Sequence, residues 1–207
     1  MTAREKRFER MIQANRVWRL DRSRSSLTFR IRKLFWRSRG RFDDLYGIIE
    51  APDSGDISAI FAAVAASIHT GIGLRDAHPR TSHLLDARRF PFLRFESTSV
   101  EYVGQDRYRM TGDLEIKGTR QPVTIEALIE ASEEELRIRA DGRVDREAFG
   151  VAAPVYVEMG GLLLGRDVDF VLVATLAPAP EALTESARRQ GVKRARRERL
   201  GVESGST

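Results

Sequence analysis

Three histidines, His69, His78 and His83, with Asp76 and Asp86 near them in sequence, are the residues of this chain that most invite a chemical reading. A zinc or iron site needs three or four converging ligands. His78 and His83 stand five apart, which suits neither one helical face nor one strand face, so no metal is expected. Arg75-Asp76 reads first as a structural ion pair, with His78 organising its loop. Its functional version is a polar mouth of Arg75, Asp76 and His78 at the entrance to a binding site. Serines are plentiful (Ser23, Ser25, Ser26, Ser97, Ser99), but no Gly-x-Ser-x-Gly elbow and no nucleophile, histidine and acid at a matching spacing accompany them. Gly71-Ile-Gly73 and Gly160-Gly161 lack the strand–helix setting and the lysine of a phosphate loop, and read as turns. With no cysteine, the chain has no disulfide staple, thiolate metal site or thiol nucleophile. Little in the polar residues supports an enzyme, and no cofactor is expected.

The elements that would position these residues are strands. From Trp18 to Pro178 the hydrophobic period is two. In the stretch from Arg107 to Lys117, Tyr108, Met110, Leu114 and Ile116 share one face, while Arg107, Arg109, Asp113, Glu115 and Lys117 share the other. A helix would scatter both sets around its circumference, whereas a half-buried strand sorts them. The same sorting recurs with Val123, Ile125, Ala127 and Ile129, with Leu136, Ile138 and Ala140, and with Leu27, Phe29 and Ile31. Val168, Phe170, Leu172, Ala174 and Leu176 close the series. Turn signals lie between the runs at Gly104-Gln-Asp106, Lys117-Gly118-Thr119 and Ser132-Glu-Glu134. Regular strands with short connections and one polar face predict an antiparallel sheet that curls into a barrel of about eight strands. Asp56–Ile68 is the ambiguous segment: its alanines favour a helix, whereas its β context and the alternation of Ile60, Val64 and Ile68 favour a strand. Asp76–Arg88 reads as a short helix or an ordered loop.

The 207 residues carry a formal net charge of +5, unevenly placed. Residues 1–16 hold five bases and two acids, and residues 181–207 hold seven bases and four acids, which leaves −1 for residues 17–180. The first segment predicts a short basic helix with Phe8, Met11 and Ile12 on one side, and the last a basic helix or tail past Pro178. The expected organisation is therefore a basic extension at 1–16, a barrel at 17–178 and a basic tail at 179–207. The charges among the first residues leave no room for a signal peptide's apolar run, and no stretch approaches the roughly 20 apolar residues of a membrane-spanning helix. The expectation is a soluble, cytoplasmic protein.

At this point an ordered set of motifs resembles the YceI-like family. Trp18-Arg-Leu-Asp21 with Ser25-Ser-Leu-Thr-Phe29 looks like the family's opening strand, and Gly40-Arg-Phe42 like its Gly-x-Phe turn. Ala66-Ser-Ile-His-Thr-Gly71, then Arg75-Asp-Ala-His78 and Arg80, is similar to the signature Ser-Ile-x-Thr-Gly…Arg-Asp-x-His-x-Arg. Phe90-Pro-Phe-Leu-Arg-Phe-Glu-Ser97, Gly112-Asp-Leu-Glu-Ile-Lys-Gly118 with Gln121-Pro-Val-Thr124, then Arg146, Phe149-Gly150 and Val168-Asp-Phe170 continue the match. The resemblance implies an all-β, lipocalin-like antiparallel barrel that binds a polyisoprenoid chain in its lumen.

The candidate inward set mixes large residues with small ones (Ala63, Gly112, Ala127, Ala140, Ala174), which leaves room inside. The expected apolar lumen is lined by Phe29, Phe42, Phe61, Phe95, Tyr108, Met110, Leu114, Ile125, Phe170 and Leu172. An isoprenoid there would gain roughly 25 cal/mol per Å2 of apolar surface removed from water. The leading expectation is thus a non-enzymatic carrier of a long-chain isoprenoid-type lipid, polyprenyl or quinone, with peripheral contact to an anionic membrane through the basic ends. The rival is a packed barrel that displays basic tails to an anionic partner, either a membrane surface or nucleic acid. Charge concentrated on tails rather than on a recognition element argues against nucleic acid. An enzyme built on His78 and Asp76 is a third reading. The oligomeric state, homodimer included, is left open.

Overall fold

The computed structural model describes residues 17–33, 37–51, 57–69, 84–152 and 164–179. The described strands are β1 (Val17–Leu20), β2 (Ser26–Lys33), β3 (Arg37–Phe42), β4 (Leu45–Glu50), β5 (Ser58–Val64), β6 (Ile68–His69), β7 (Phe92–Gly104), β8 (Arg107–Ile116), β9 (Thr119–Ala131), β10 (Leu136–Asp145) and β11 (Leu164–Pro178). All described pairings are antiparallel. The order β1-β4-β5-β7-β8-β9-β10-β11 returns to β1 through its pairing with β11, so eight strands close a ring. Closure removes the free edges that an open sheet of this length would expose.

The remaining three strands continue three of these eight. Each of the first three strand positions is broken once by a short bend: at Arg22–Arg24 between β1 and β2, at Asp43–Asp44 between β3 and β4, and at Ala65–Ser67 between β5 and β6. Polar side chains stitch the breaks. The Ser25 hydroxyl donates to Asp21 O (2.6 Å) and accepts the Thr175 N–H (3.1 Å). The Ser67 hydroxyl donates to Val64 O (2.7 Å) and accepts the Asp44 N–H (3.1 Å). Backbone groups freed by the bends therefore keep partners.

The connections follow from residue type. Lys117-Gly118, at φ 53° and 75°, joins β8 to β9 as a two-residue turn. Left-handed backbone at both positions matches the twist of the flanking strands, and glycine takes it at no steric cost. Gly112 is required for a different reason. It lies beside the bulge at Ser97–Ser99, where a Cβ would collide with the backbone of Glu96.

The ambiguous alanine-rich segment is β5, a single turn, and β6. Pairing with β4 on one side and β7 on the other satisfies its backbone and overrides alanine's helical preference. Its faces also differ from the stripe of Ile60 and Val64. Ala59 and Ala63 are the buried positions, and Phe61 shares their parity. Of the segment Asp76–Arg88, residues 84–88 form turns, and residues 76–83 lie outside the described residues. The two terminal extensions, 1–16 and 180–207, lie outside the described residues.

Candidate functional site

The inward-facing residues are not uniformly buried. On β9, Ala127 and Ile129 are buried while Val123 and Ile125 are half-buried. On β10, Leu136, Ile138 and Ala140 are buried while Gly142 and Val144 are half-buried. On β11, Ala174 and Leu176 are buried while Val168, Phe170 and Leu172 are half-buried. All inward residues of β1 are buried and those of β2 are half-buried. The change falls in the same direction on neighbouring strands. One end of the barrel, where β1 begins and β11 stops, is therefore packed, with Trp18, Leu136, Ile138 and Leu176 as its largest fully buried side chains. Toward the other end the inward apolar side chains of β2, β9, β10 and β11 keep accessible surface, while Phe42, Ile68 and Ile116 are buried.

A particular pairing produces this difference. Three inward phenylalanines stand in register with glycine on the next strand: Phe29 with Gly40, Phe61 with Gly47, and Phe170 with Gly142. In each pair the ring lies across the glycine, so closely that a Cβ on Gly47 would come within 2.7 Å of Phe61 Cδ1, and one on Gly142 within 2.7 Å of Phe170 Cζ. A Cβ on Gly40 would overlap the Phe29 ring. The rings are thus laid back against the wall instead of projecting across the bore. A phenylalanine pointing inward from eight strands would fill a barrel of this size; over glycine it lines one.

The room is consequently not where the alanines are. Ala63, Ala127, Ala140 and Ala174 are all buried, so small size alone opens no surface. The ten expected lumen residues divide accordingly. Phe42, Phe95, Tyr108 and Met110 are buried, whereas Phe29, Phe61, Leu114, Ile125, Phe170 and Leu172 retain accessible surface. Phe29 and Phe42 join the two groups, with ring centroids 5.6 Å apart. The expected polar mouth (Arg75, Asp76 and His78) lies outside the described residues. Leu27, Val123 and Val144 are half-buried inward residues outside the expected lumen set, although their parity marks them. The glycine partners are the larger omission. A glycine at an inward position opposite phenylalanine was the available signal, but it requires the strand register.

Polar groups organise the half-buried end without entering the bore. Arg146 is buried in the short turn Arg146–Phe149 that follows β10. Its Nη1 donates to Val151 O (2.6 Å), Nε to Gly165 O (2.9 Å) and Nη2 to Glu147 (3.3 Å), so its charge is spent on holding the rim together. Asp145 caps that turn through the Glu147 N–H, 2.9 Å away. The Arg166 guanidinium, 2.7 Å from Asp145, holds this carboxyl below its usual range, and the Glu147 N–H adds to the effect. At the packed end the hydrogen bond from Arg24 likewise lowers Glu135. Among the described residues no three His, Cys, Asp or Glu side chains gather as a metal site, and no helix is long and apolar enough to cross a membrane.

The chain matches the family described as YceI-like domain over residues 18–176. A UPF0312 protein of Staphylococcus aureus is 29% identical over 161 residues, covering 72% of this chain and 91% of that protein. Among solved structures, BcnA of Burkholderia cenocepacia superposes with a TM-score of 0.68 at 18% identity, over 75% of this chain and 98% of that one. A polyisoprenoid-binding domain from Saccharophagus degradans gives 0.67 at 17% identity, over 78% and 98%. The YceI protein of Campylobacter jejuni gives 0.55 at 18% identity, over 69% and 85%. At these identities the structural likeness establishes the fold.

Proposed function

The chain belongs to the family of YceI-like domains, and from that premise we propose that its barrel binds and carries a long-chain, isoprenoid-type lipid without chemically changing it. One observation supports this reading: phenylalanine–glycine pairs fit closely across neighbouring strands, and six of the ten residues expected to line a lumen are only half-buried. Such a surface recognises a ligand by area, at roughly 0.8 kcal/mol for each methylene removed from water. It offers nothing to discriminate a quinone from a polyprenyl phosphate, so the head group would be read at a polar mouth. Arg75, Asp76 and His78 are the residues proposed for that task. The polyisoprenoid-binding domain from Saccharophagus degradans, with the same fold, supports the ligand class.

The full chain, purified from its native expression host, is the material for the test. Native mass spectrometry followed by solvent extraction should release an isoprenoid-type lipid at up to one per barrel. A chain that carries no lipid and takes up no polyprenyl or quinone probe would sink the reading. Deleting residues 1–16 and 180–207 separates it from a tail-driven interaction module, because lipid uptake should survive that deletion.

A further inference from the structure

The near-neutral charge of the barrel segment is an average over a divided surface. Between Ser26 and Phe42 the sequence holds six cations (Arg30, Arg32, Lys33, Arg37, Arg39 and Arg41) and no carboxylate. Residues 17–180 carry −1 in all, so the remainder of that segment carries −7. The strand register concentrates the positive charge further: Arg30 stands directly opposite Arg39, and Arg32 opposite Arg37. Opposed like charges on an antiparallel pair are destabilising. A surface built only for solubility would interleave the two signs.

The carboxylates closest in register do not relieve this. Asp169 is opposite Arg30, but it accepts from Arg143 Nε at 2.6 Å. Asp43 is engaged with Arg41 at 2.5 Å. Arg30 and Arg39 are exposed and make no ion pair among the described residues. On the inner side of the same two strands Phe29 lies over Gly40, so the cationic ladder backs the half-buried end of the bore. A cationic face placed behind the end of the bore that keeps apolar surface suits an anionic lipid surface more than a nucleic-acid backbone.

We infer that the outer face of β2 and β3, centred on Arg30 and Arg39, docks the barrel on an anionic lipid surface. A ligand could then pass between membrane and bore over a short path through water. The purpose of this docking, though not the docking itself, rests on the lipid-carrying reading above.

Vesicle flotation with the full chain tests it. The protein should float with phosphatidylglycerol/phosphatidylcholine vesicles, stay behind with phosphatidylcholine alone, and release as salt is raised. Arg30→Gln with Arg39→Gln should weaken binding about thirty-fold, whereas Arg30→Lys with Arg39→Lys should keep most of it. Relief of the opposed charges should leave the melting temperature of the glutamine pair at or above the wild-type value, which separates lost docking from lost folding. Arg196→Gln with Arg197→Gln removes the same charge from the C-terminal segment. An equal loss there would overturn the inference, because net charge alone would then explain binding. So would unchanged flotation of the glutamine pair, or ladder-dependent capture of an RNA or DNA oligonucleotide without flotation. Lipid extracted from the same preparations reads the bore separately. A chain that floats through Arg30 and Arg39 yet holds no lipid keeps the docking and loses the carrier, and the opposite pattern does the reverse.

Discussion

Two ends of one barrel handle the same raw material differently. At the packed end Trp18, Leu136, Ile138 and Leu176 are fully buried and the alanines between them are covered. Toward the other end Phe29, Phe170 and Leu172 keep accessible surface, although they are as apolar and sit on the same or adjacent strands. Hydrophobicity therefore does not decide which end is filled. What differs is the cross-strand partner. Where a ring meets glycine it lies against the wall, whereas at the packed end Leu136 stands opposite Leu176 and Ile138 opposite Ile129. The first arrangement gives up part of the burial energy a close-packed core would gain, and retaining that accessible surface is what a binding lumen requires.

The largest effect expected from breaking this contrast is at the packed end. Trp18→Ala should destabilise the fold by about 3–5 kcal/mol, the range for truncating a large buried aromatic. Phe170→Ala, at the half-buried end, should cost only about 1–2 kcal/mol, in line with a side chain that is partly accessible already. Denaturant titration of both variants checks the difference. Equal losses would mean that the two ends are packed alike, and the contrast would fall.

Gly142→Ala sharpens the comparison. The new Cβ would sit 2.7 Å from Phe170 Cζ, so the ring has to leave the wall, and the free direction is into the bore. Lipid or probe uptake should fall several-fold, with a stability change of about 1–3 kcal/mol typical of an overpacked site. Combining it with Phe170→Ala removes the clash and should restore uptake, because the ring that blocked the bore is gone. Uptake that stays low in the double variant would show that the glycine serves the backbone and not the lumen.

Strand periodicity made the closed antiparallel barrel legible in the sequence, because residues such as Tyr108, Met110, Leu114 and Ile116 alternate without interruption. Both hairpin turns of β8 were legible for the same reason, since Gly104 and Gly118 punctuate the alternation. The alanine-rich segment was not, because single-residue preference competes there with pairing partners distant in sequence, at Leu45 and Leu93. The candidate lumen was half legible. Parity identifies which residues face inward, but accessibility depends on what stands opposite, as the buried Phe95 and the half-buried Phe61 beside it show. Charge had the same weakness. Summing over residues 17–180 conceals the arginine ladder that the register of β2 and β3 brings together.

The smallest expected effect is the acid sensitivity of the rim against that of the packed end. Asp145 is held low chiefly by the hydrogen bond from Arg166, and Glu135 chiefly by that from Arg24. Both folded values lie below the unfolded ones, so each contribution is fully present above the ordinary carboxylate range and is lost as pH falls through the folded value. Stability should therefore be insensitive to these groups from neutral pH down to about 5, then decline below about pH 4. Both carboxylates are on the solvent side, where water and salt screen the pairs, so the acid slope should be shallow. Asp145→Asn should flatten it further. In that variant the Asp145 pair with Arg166 is lost and the rim turn Arg146–Phe149 keeps only the Glu147 pair with Arg166, while Glu135 and the packed end keep theirs. Hydrogen exchange at pH 4 should accordingly speed up in residues 145–151 and leave 131–138 unchanged. An equal response at both ends would show that acid acts on the barrel as a whole, through its net charge, and not through these two local pairs.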